Sequence, residues 1–350
     1  MTEVETGIPS SIEEVTPGWL SAVLGHTVTG ARAERIAQDS GFASLLYRVW
    51  LTGGTGLPET VVVKLPGSQE ARGAMELLGG YRRELEFYRR IAGRAPMGTA
   101  GVFVAESGSS ASEFVLVMED LRGWDNADHL AGLTMDQARS ALSGLAGLHA
   151  WSATNPVPAG VFPGLDFPAV RQVFLPVFAT AWAAYLERTR ITVPPGVTDF
   201  AARFAELAPV ALETLSRRPT LLHGDIRADN LFFRDGAMKV VDFQFACHGA
   251  GAADVAYLVT QGLPVSERRG RDQALLTEYL DDLAAQGDSD YPFDEAWRDY
   301  RLATGYLMML PVISLLGAEA MPERSRQLCI TLTDRAVAAI DEIDAVAAFS

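Results

Sequence analysis

Apolar positions in the first third of the chain fall into short, strand-like runs, whereas those in the remainder recur mostly at helical spacing. Thr16 followed by Pro17 predicts a helix start, because threonine satisfies free backbone donors and proline is preset for the first turn; a short helix to about Leu24 follows. Leu45 to Leu51 and Val61 to Leu65 are β-branched or aromatic runs separated by a turn containing Gly53, Gly54, Gly56 and Pro58, which predicts paired antiparallel strands. Between Gln69 and Ile91 the residues Leu77, Tyr81, Leu85 and Tyr88 recur at helical spacing among charges, and Gly93 acts as a stop, so one long amphipathic helix is expected. Val102 to Val104 and Phe114 to Met118 predict two further strands, after which MEDLRG leaves the sheet. Beyond about Asp125 helical patterns dominate, with short strands at Leu231 to Phe233 and Lys239 to Val241 and a Pro- and Gly-marked loop from Pro156 to Gly164. The pattern predicts an N-terminal sheet lobe over residues 1–120, a helical C-terminal lobe over 121–350, and a crossing near Glu119 to Gly123.

Composition narrows the class of function. The chain has 350 residues, 48% of them hydrophobic, which is enough for two lobes and a sizeable core. Its 29 basic and 44 acidic residues give a net charge of −15, a field that repels phosphate backbones, so no nucleic-acid partner is expected. A cationic or neutral substrate suits that field, although an acidic soluble protein is the plainer reading. Cys247 and Cys329 lie far apart at no metal or redox spacing, which fits a reducing compartment and a cytoplasmic location. Met1 to Gly18 is acidic and lacks the apolar segment of a signal peptide. The longest charge-free apolar run, Tyr306 to Ala318, contains Pro311 and is shorter than the roughly 20 residues a bilayer requires. It is expected to be a buried core helix, with no membrane partner.

The chemistry concentrates in HGDIRADNLFF, His223 to Phe233, and in VVDFQ just after it. Asp225 leaves a tight His-Gly-Asp turn anchored by Leu221 and Leu222, where a carboxylate can orient and deprotonate an attacking hydroxyl. Alone, an Asp in a loop is most often a turn former; its partners give it weight. Asn230 offers a neutral amide oxygen and Asp242, after the Lys239 to Val241 strand, an anionic one, a donor set suited to Mg²⁺. His223 is expected to shape the loop rather than move a proton. Asp229 pairs with Arg227 or caps the turn, and Asp254 caps a helix or accepts hydrogen bonds from the catalytic loop. Lys64 closes VVVKL at a strand end, where a cleft-facing ammonium needs a carboxylate partner such as Glu84 or Glu86. Ser40, Gly41 and Ser44 form either phosphate contacts or a plain hairpin turn. Met118, Glu119 and Leu121 sit at the lobe crossing, where backbone groups can read a nucleobase edge. Trp182, Tyr185 and Trp297 read as core before they read as an apolar substrate wall.

Taken together and in order, these segments resemble the aminoglycoside phosphotransferase and choline kinase-like superfamily, small-molecule relatives of protein kinases. HGDIRADN is similar to its catalytic loop and VVDFQ to its metal-binding strand end, with Gln244 where protein kinases place glycine. VVVKL resembles the nucleotide-lysine strand and RRELEFYRR the helix of its glutamate partner, in whose register Glu84 matches better than Glu86. FVLVMEDL resembles the hinge strand, and LSGLAGLHAWSA the following helix, especially in the ecdysteroid kinase-like branch. The resemblance implies a two-lobed α+β protein kinase-like fold, with a small antiparallel-sheet N-lobe and a larger, mainly helical C-lobe. It also implies ATP or GTP, Mg²⁺, and transfer to a hydroxyl of a small molecule such as an antibiotic or other natural product. The phosphate loop departs by being poor in glycine, which keeps open a catalytically silent nucleotide- or ligand-binding module. A protein kinase is disfavoured, because no recognisable activation segment follows Asp242.

Overall fold

Strand-forming and helix-forming stretches segregate into two units, Met1–Arg94 with Thr99–Trp124, and Ala95–Gly98 with Asp125–Ser350. The structure is a computed structural model, described over residues 7–37, 44–108, 110 and 113–350. In the first unit α1 (Pro17–Leu24) starts as its cap predicts, with the Thr16 hydroxyl accepting the Trp19 N–H at 3.2 Å, and it stops at Gly25, φ +68°. The sheet comprises β1 (Val28–Ile36), β2 (Ser44–Gly53), β3 (Thr60–Pro66), β4 (Val102–Ser107) and β5 (Phe114–Glu119), antiparallel throughout in the order β1-β2-β3-β5-β4. Central β3 is buried on both faces. Val61, Val63 and Leu65 pack with Val115, Val117 and the α1 residues Trp19 and Leu20, so the period of two turns Val62 and Lys64 to the opposite face.

The long helix expected over Gln69 to Ile91 is two helices, α2 (Gln69–Leu78) and α3 (Gly80–Arg90). Gly79 breaks it by adopting φ +68°, a conformation open to glycine at no steric cost. The polar strand β1 was not predicted as a strand. Most of its side chains are exposed at the sheet edge, so no apolar alternation marks it.

The second unit opens with β6 (Asp125–Asn126) and α4 (Met135–Thr154), the latter started by a capping box between Thr134 and Gln137. A π-helical turn, Val170–Phe174, leads into α5 (Leu175–Leu186), followed by α6 (Pro195–Ala202) and α7 (Phe204–Leu215). Next come β7 (Thr220–Leu222), β8 (Leu231–Arg234), β9 (Ala237–Val240) and β10 (Cys247–Gly249), arranged as β6-β8-β9 and β10-β7. The chain ends in α8 (Ala252–Gly262), α9 (Val265–Arg268), α10 (Asp272–Ala285), α11 (Phe293–Leu307), α12 (Met309–Ser314) and α13 (Glu323–Glu342). Every residue of α8 is buried, which makes it the central helix of this unit. Fully buried Arg268 pairs with Asp272 at 2.7 Å and with Glu342, tying α9 to α10 and α13.

The apolar run near the C-terminus is longer than its charge-free stretch suggested. Phe293–Ala320 is a helical stretch of 28 residues, long and apolar enough to cross a membrane by length and composition. Two-thirds of its most apolar window, 67%, is buried inside the protein, as in a core helix.

A second buried node ties the segment after β6 to the loop before β8. His129 is fully buried; its Nδ1 accepts the Ala228 N–H at 2.9 Å and its Nε2 donates to the Gln261 carbonyl at 3.2 Å. Burial, assisted by the nearby Arg227 and Arg335 charges, lowers its pKa from 6.5 to about 3. The folded state therefore binds the proton later than the unfolded chain. Stability from this group is complete above about pH 6.5 and falls by about 1.4 kcal/mol per pH unit as the pH drops toward 3. Urea unfolding between pH 6.5 and 5 should show that slope, and His129→Asn, whose amide oxygen can still accept from Ala228, should flatten it.

Candidate active site

The loop after β7 is shaped from below by a carboxylate. Asp254, in the first turn of α8 and only 2% exposed, accepts the His223 N–H at 2.7 Å and the Gly224 N–H at 3.0 Å. Of its two expected roles, the structure displays the hydrogen bonds from the loop. His149 of α4 lies 3.3 Å from the same carboxylate through Nε2, and its Nδ1 meets the Tyr279 hydroxyl at 2.8 Å. Since a carboxylate accepts, Nε2 donates there and Nδ1 accepts from tyrosine. Gly224 has φ +78°, and a Cβ there would lie 2.2 Å from the Phe245 carbonyl oxygen, so the turn requires glycine.

His223 is fully buried against Phe243. Its Nε2 donates to the Val241 carbonyl at 3.1 Å, and its Nδ1 accepts the Asp225 N–H at 3.2 Å. The partners dictate a neutral ring with the proton on Nε2, which joins the loop to the end of β9 and holds the backbone of Asp225.

Asp225 reaches the partly exposed side of this frame, its side chain 14% exposed. Burial pushes its carboxyl pKa up; the Arg227 charge opposes that and Asp242 adds to it, for a net upward shift. Oδ1 accepts the Tyr257 hydroxyl at 3.2 Å, and Oδ2 lies 3.2 Å from Arg227 Nε. Asn230 is buried and its Nδ2 donates to the Asp225 carbonyl at 2.9 Å, so Oδ1 is the amide atom that could hold a metal. Its own carbonyl accepts the Val241 N–H at 3.1 Å, so the residue before Asp242 is fixed to the residue before β8. Asp242 has φ +70°, a strained conformation that Asp tolerates better than most residues and that clusters at functional sites. An amide oxygen and a carboxylate, both hard donors, fit Mg²⁺, which takes few protein ligands and keeps the rest for water and phosphate. Among the described residues no cluster of three or more His, Cys, Asp or Glu side chains is arranged to hold a metal.

Asp229 turns away from this group. Its Oδ1 accepts the His129 N–H at 3.0 Å and lies 3.7 Å from Arg324, while Arg227 takes Asp225 as its ion-pair partner.

In the first unit Lys64 and Glu84 form a buried pair, Nζ to Oε1 2.8 Å, with side chains 4% and 2% exposed. Glu86 lies on the other face of α3, paired with Arg89 and Arg90. Ser40 and Gly41 lie outside the described residues. Ser44 is buried at the start of β2, opposite Pro66 and hydrogen-bonded to Tyr81. Met118 and Leu121 are buried. The Glu119 N–H is donated to the Gly101 carbonyl and its carboxylate accepts the Gly101 N–H; the Leu121 carbonyl accepts from Trp124. Arg48 grips Asp120 through two hydrogen bonds, at 2.6 and 3.0 Å. Burial raises the Asp120 pKa, but the bonds from Arg48 and Thr60 outweigh it and hold the carboxyl below its ordinary value.

Tyr257 and His149 escaped the sequence reading, and Arg227 entered it only as a partner for Asp229. Arg227 and His149 lie inside segments singled out for other residues, and Tyr257 is one helical turn beyond Asp254.

The Lys64 pair predicts a measurable asymmetry. Glu84→Ala strands a buried ammonium and should cost about 3 to 5 kcal/mol, whereas Lys64→Met with Glu84→Leu should recover most of that loss. Urea denaturation checks this; equal losses in single and double variants would show that the two charges are not coupled.

Solved structures with the same fold include choline kinase from Cryptosporidium parvum, with a TM-score of 0.57 and 11% identity over 94% of this chain and 93% of that one. Plasmodium vivax ethanolamine kinase gives a TM-score of 0.55 and 12% identity, covering 95% and 90%. The GDP complex of aminoglycoside 2'-phosphotransferase-IIIa gives 0.55 and 14%, covering 91% and 96%. No curated protein matches this chain in sequence. The α+β kinase-like fold expected from the sequence is therefore the observed one, and the ecdysteroid kinase-like branch finds no separate support. The profile of the phosphotransferase enzyme family matches residues 36–297, a span that holds the Lys64 pair, the His223 to Asn230 loop and Asp242, and the chain belongs to that family.

Proposed function

We propose that this phosphotransferase moves the γ-phosphoryl group of ATP or GTP to a hydroxyl of a small molecule, an antibiotic or other natural product, with Mg²⁺. The observation that carries the reading is the carboxylate of Asp225, presented on a loop fixed through His223 and Gly224 and flanked by Asn230 and Asp242. Asp225 orients the acceptor hydroxyl and takes its proton. Burial raises its pKa, which makes it a better proton acceptor than an ordinary aspartate. Asn230 Oδ1 and Asp242 would hold the cation, whose chemistry is to bridge and neutralise phosphate oxygens. Lys64, held by Glu84, directs its ammonium to phosphates. The Leu121 N–H, which makes no hydrogen bond among the described residues, is the backbone donor available to a nucleobase. Acidic overall charge favours a neutral or cationic acceptor over an anionic one.

Purified protein incubated with ATP or GTP, Mg²⁺ and a panel of hydroxyl compounds should yield a phosphate ester visible by ³¹P NMR. Asp225→Asn should lower turnover by about 10² to 10⁴-fold while nucleotide affinity stays within about threefold. Nucleotide binding without turnover on any acceptor would instead favour a silent binding module on the same fold.

A further inference from the structure

Phosphoryl transfer as proposed above gives Tyr257 no role, yet its hydroxyl donates to Asp225 Oδ1 at 3.2 Å. The residue is only 4% exposed. Burial and the neighbouring Asp225 charge push the hydroxyl well above the ordinary tyrosine range, so it stays protonated and serves as a donor.

A buried tyrosine hydroxyl needs a partner, and three others in the same unit also find a carboxylate: Tyr185 on Asp334, Tyr291 on Asp299 and Tyr300 on Asp272. Each of those carboxylates receives a further donor, from Thr189, Arg298 and Arg268 respectively, and braces packed helices. Asp225 differs. Among the described residues Tyr257 is the only hydrogen-bond donor to its carboxylate; Arg227 lies 3.2 Å from Oδ2, but its Nε donates no hydrogen bond. A directional bond fixes the rotation of a carboxylate where a nearby charge alone does not. The anchor of that bond is rigid, because Tyr257 lies three residues after Asp254, on the same face of a helix whose every residue is buried. One helix therefore holds the backbone of the loop through Asp254 and the side chain of Asp225 through Tyr257.

Resting on the kinase reading above, we infer that Tyr257 is a positioning residue, whose hydroxyl occupies Asp225 Oδ1 and so presents Oδ2 to the acceptor hydroxyl. In the step itself the acceptor oxygen bonds to the γ-phosphorus. The bond to the bridging oxygen breaks, its electron pair leaves on the nucleoside diphosphate, and the hydroxyl proton passes to Oδ2. Tyr257 keeps its own proton throughout. Losing its hydroxyl lets the carboxylate turn, which misaligns the acceptor oxygen and costs rate rather than affinity, because nucleotide and acceptor still bind.

The test compares wild type with Tyr257→Phe, which keeps the ring and loses the donor, and with Tyr257→4-aminophenylalanine, which restores a donor at the same place. Tyr300→Phe removes the same kind of bond from Asp272 and is the structural control. The probes are ATP or GTP with Mg²⁺ and whichever hydroxyl compound wild type phosphorylates fastest. Tyr257→Phe should lower kcat by about 10- to 100-fold while both KM values stay within about threefold, and the amino variant should return kcat to within about threefold of wild type. Tyr300→Phe should keep kcat within about threefold. A kcat loss in Tyr257→Phe no larger than in Tyr300→Phe overturns the inference, as does a loss carried by KM or one the amino variant fails to restore. A Tyr257→Phe chain that does not fold assigns the hydroxyl to structure and overturns it too. If wild type phosphorylates no compound with either nucleotide, the phosphotransfer reading fails and this inference falls with it. Wild-type turnover beside an unaffected Tyr257→Phe sinks the inference alone.

Discussion

The loop proposed to carry the chemistry depends on the buried carboxylate of Asp254. A short loop between strands has no helix or ladder to satisfy its backbone, and the first N–H groups of this one are donated to a carboxylate on the fully buried helix α8. Charge-assisted bonds of this kind are among the stronger ones a protein makes, and their value rises where water is excluded. Asp254 itself remains bearable inside the protein because His149 adds a further donor, backed by Tyr279. The helix α4 that carries His149 also holds β7, since Ser152 accepts the Leu221 N–H and Thr220 donates to the His149 carbonyl. One polar network thus fixes the strand that enters the loop and the turn that follows it. Asp225 inherits its position from that frame and needs no contact of its own with Asp254.

The two units meet the same physical problem, a charge out of water, in different ways. Lys64 receives a well-placed carboxylate from Glu84 and is nearly inaccessible, a pair whose geometry is settled before any ligand arrives. The catalytic loop carries an excess of carboxylates around one arginine, and its hydrogen bonding is incomplete. Closed pairs give rigidity. Incomplete ones give a place where an incoming cation or anion lowers the energy, which is the property a phosphoryl-transfer centre needs.

Much of this was legible in the sequence where local pattern and tertiary environment agree. The alternation in VVVKL located Lys64 near the end of an apolar strand, and register with the family pattern favoured Glu84, which the structure buries on one face of its helix with Tyr81 and Tyr88. The composition of the His223 to Asn230 turn marked a loop that carries chemistry. Other features resist local reading for identifiable reasons. The strand β1 forms by pairing with β2 and gains little from burial, so its exposed Arg32, Glu34 and Arg35 look like loop residues. The helix break at Gly79 follows one residue's left-handed conformation within an otherwise continuous apolar pattern. The partner of Arg227 is set by fold geometry: Asp225 and Asp229 are equally close in sequence, and Asp229 turns instead toward His129.

Aromatic residues show most clearly why the acceptor is harder to read than the reaction. Trp182 stacks with Phe178 and tilts against Tyr185, whose hydroxyl donates to Asp334 at 2.7 Å, so both are spent on packing α5. Trp297 stacks with Phe293 and Tyr300 along α11. Their composition would suit an apolar binding wall equally well, because the same surface area that binds a ligand also stabilises a core. Phosphoryl transfer constrains its residues differently: a base, a hard-oxygen pair and a phosphate-binding cation must be of particular types at particular intervals, and those intervals survive in the sequence. Acceptor recognition is distributed over surfaces that helices bring together from distant segments, so it belongs to the packing of this unit and leaves no motif behind.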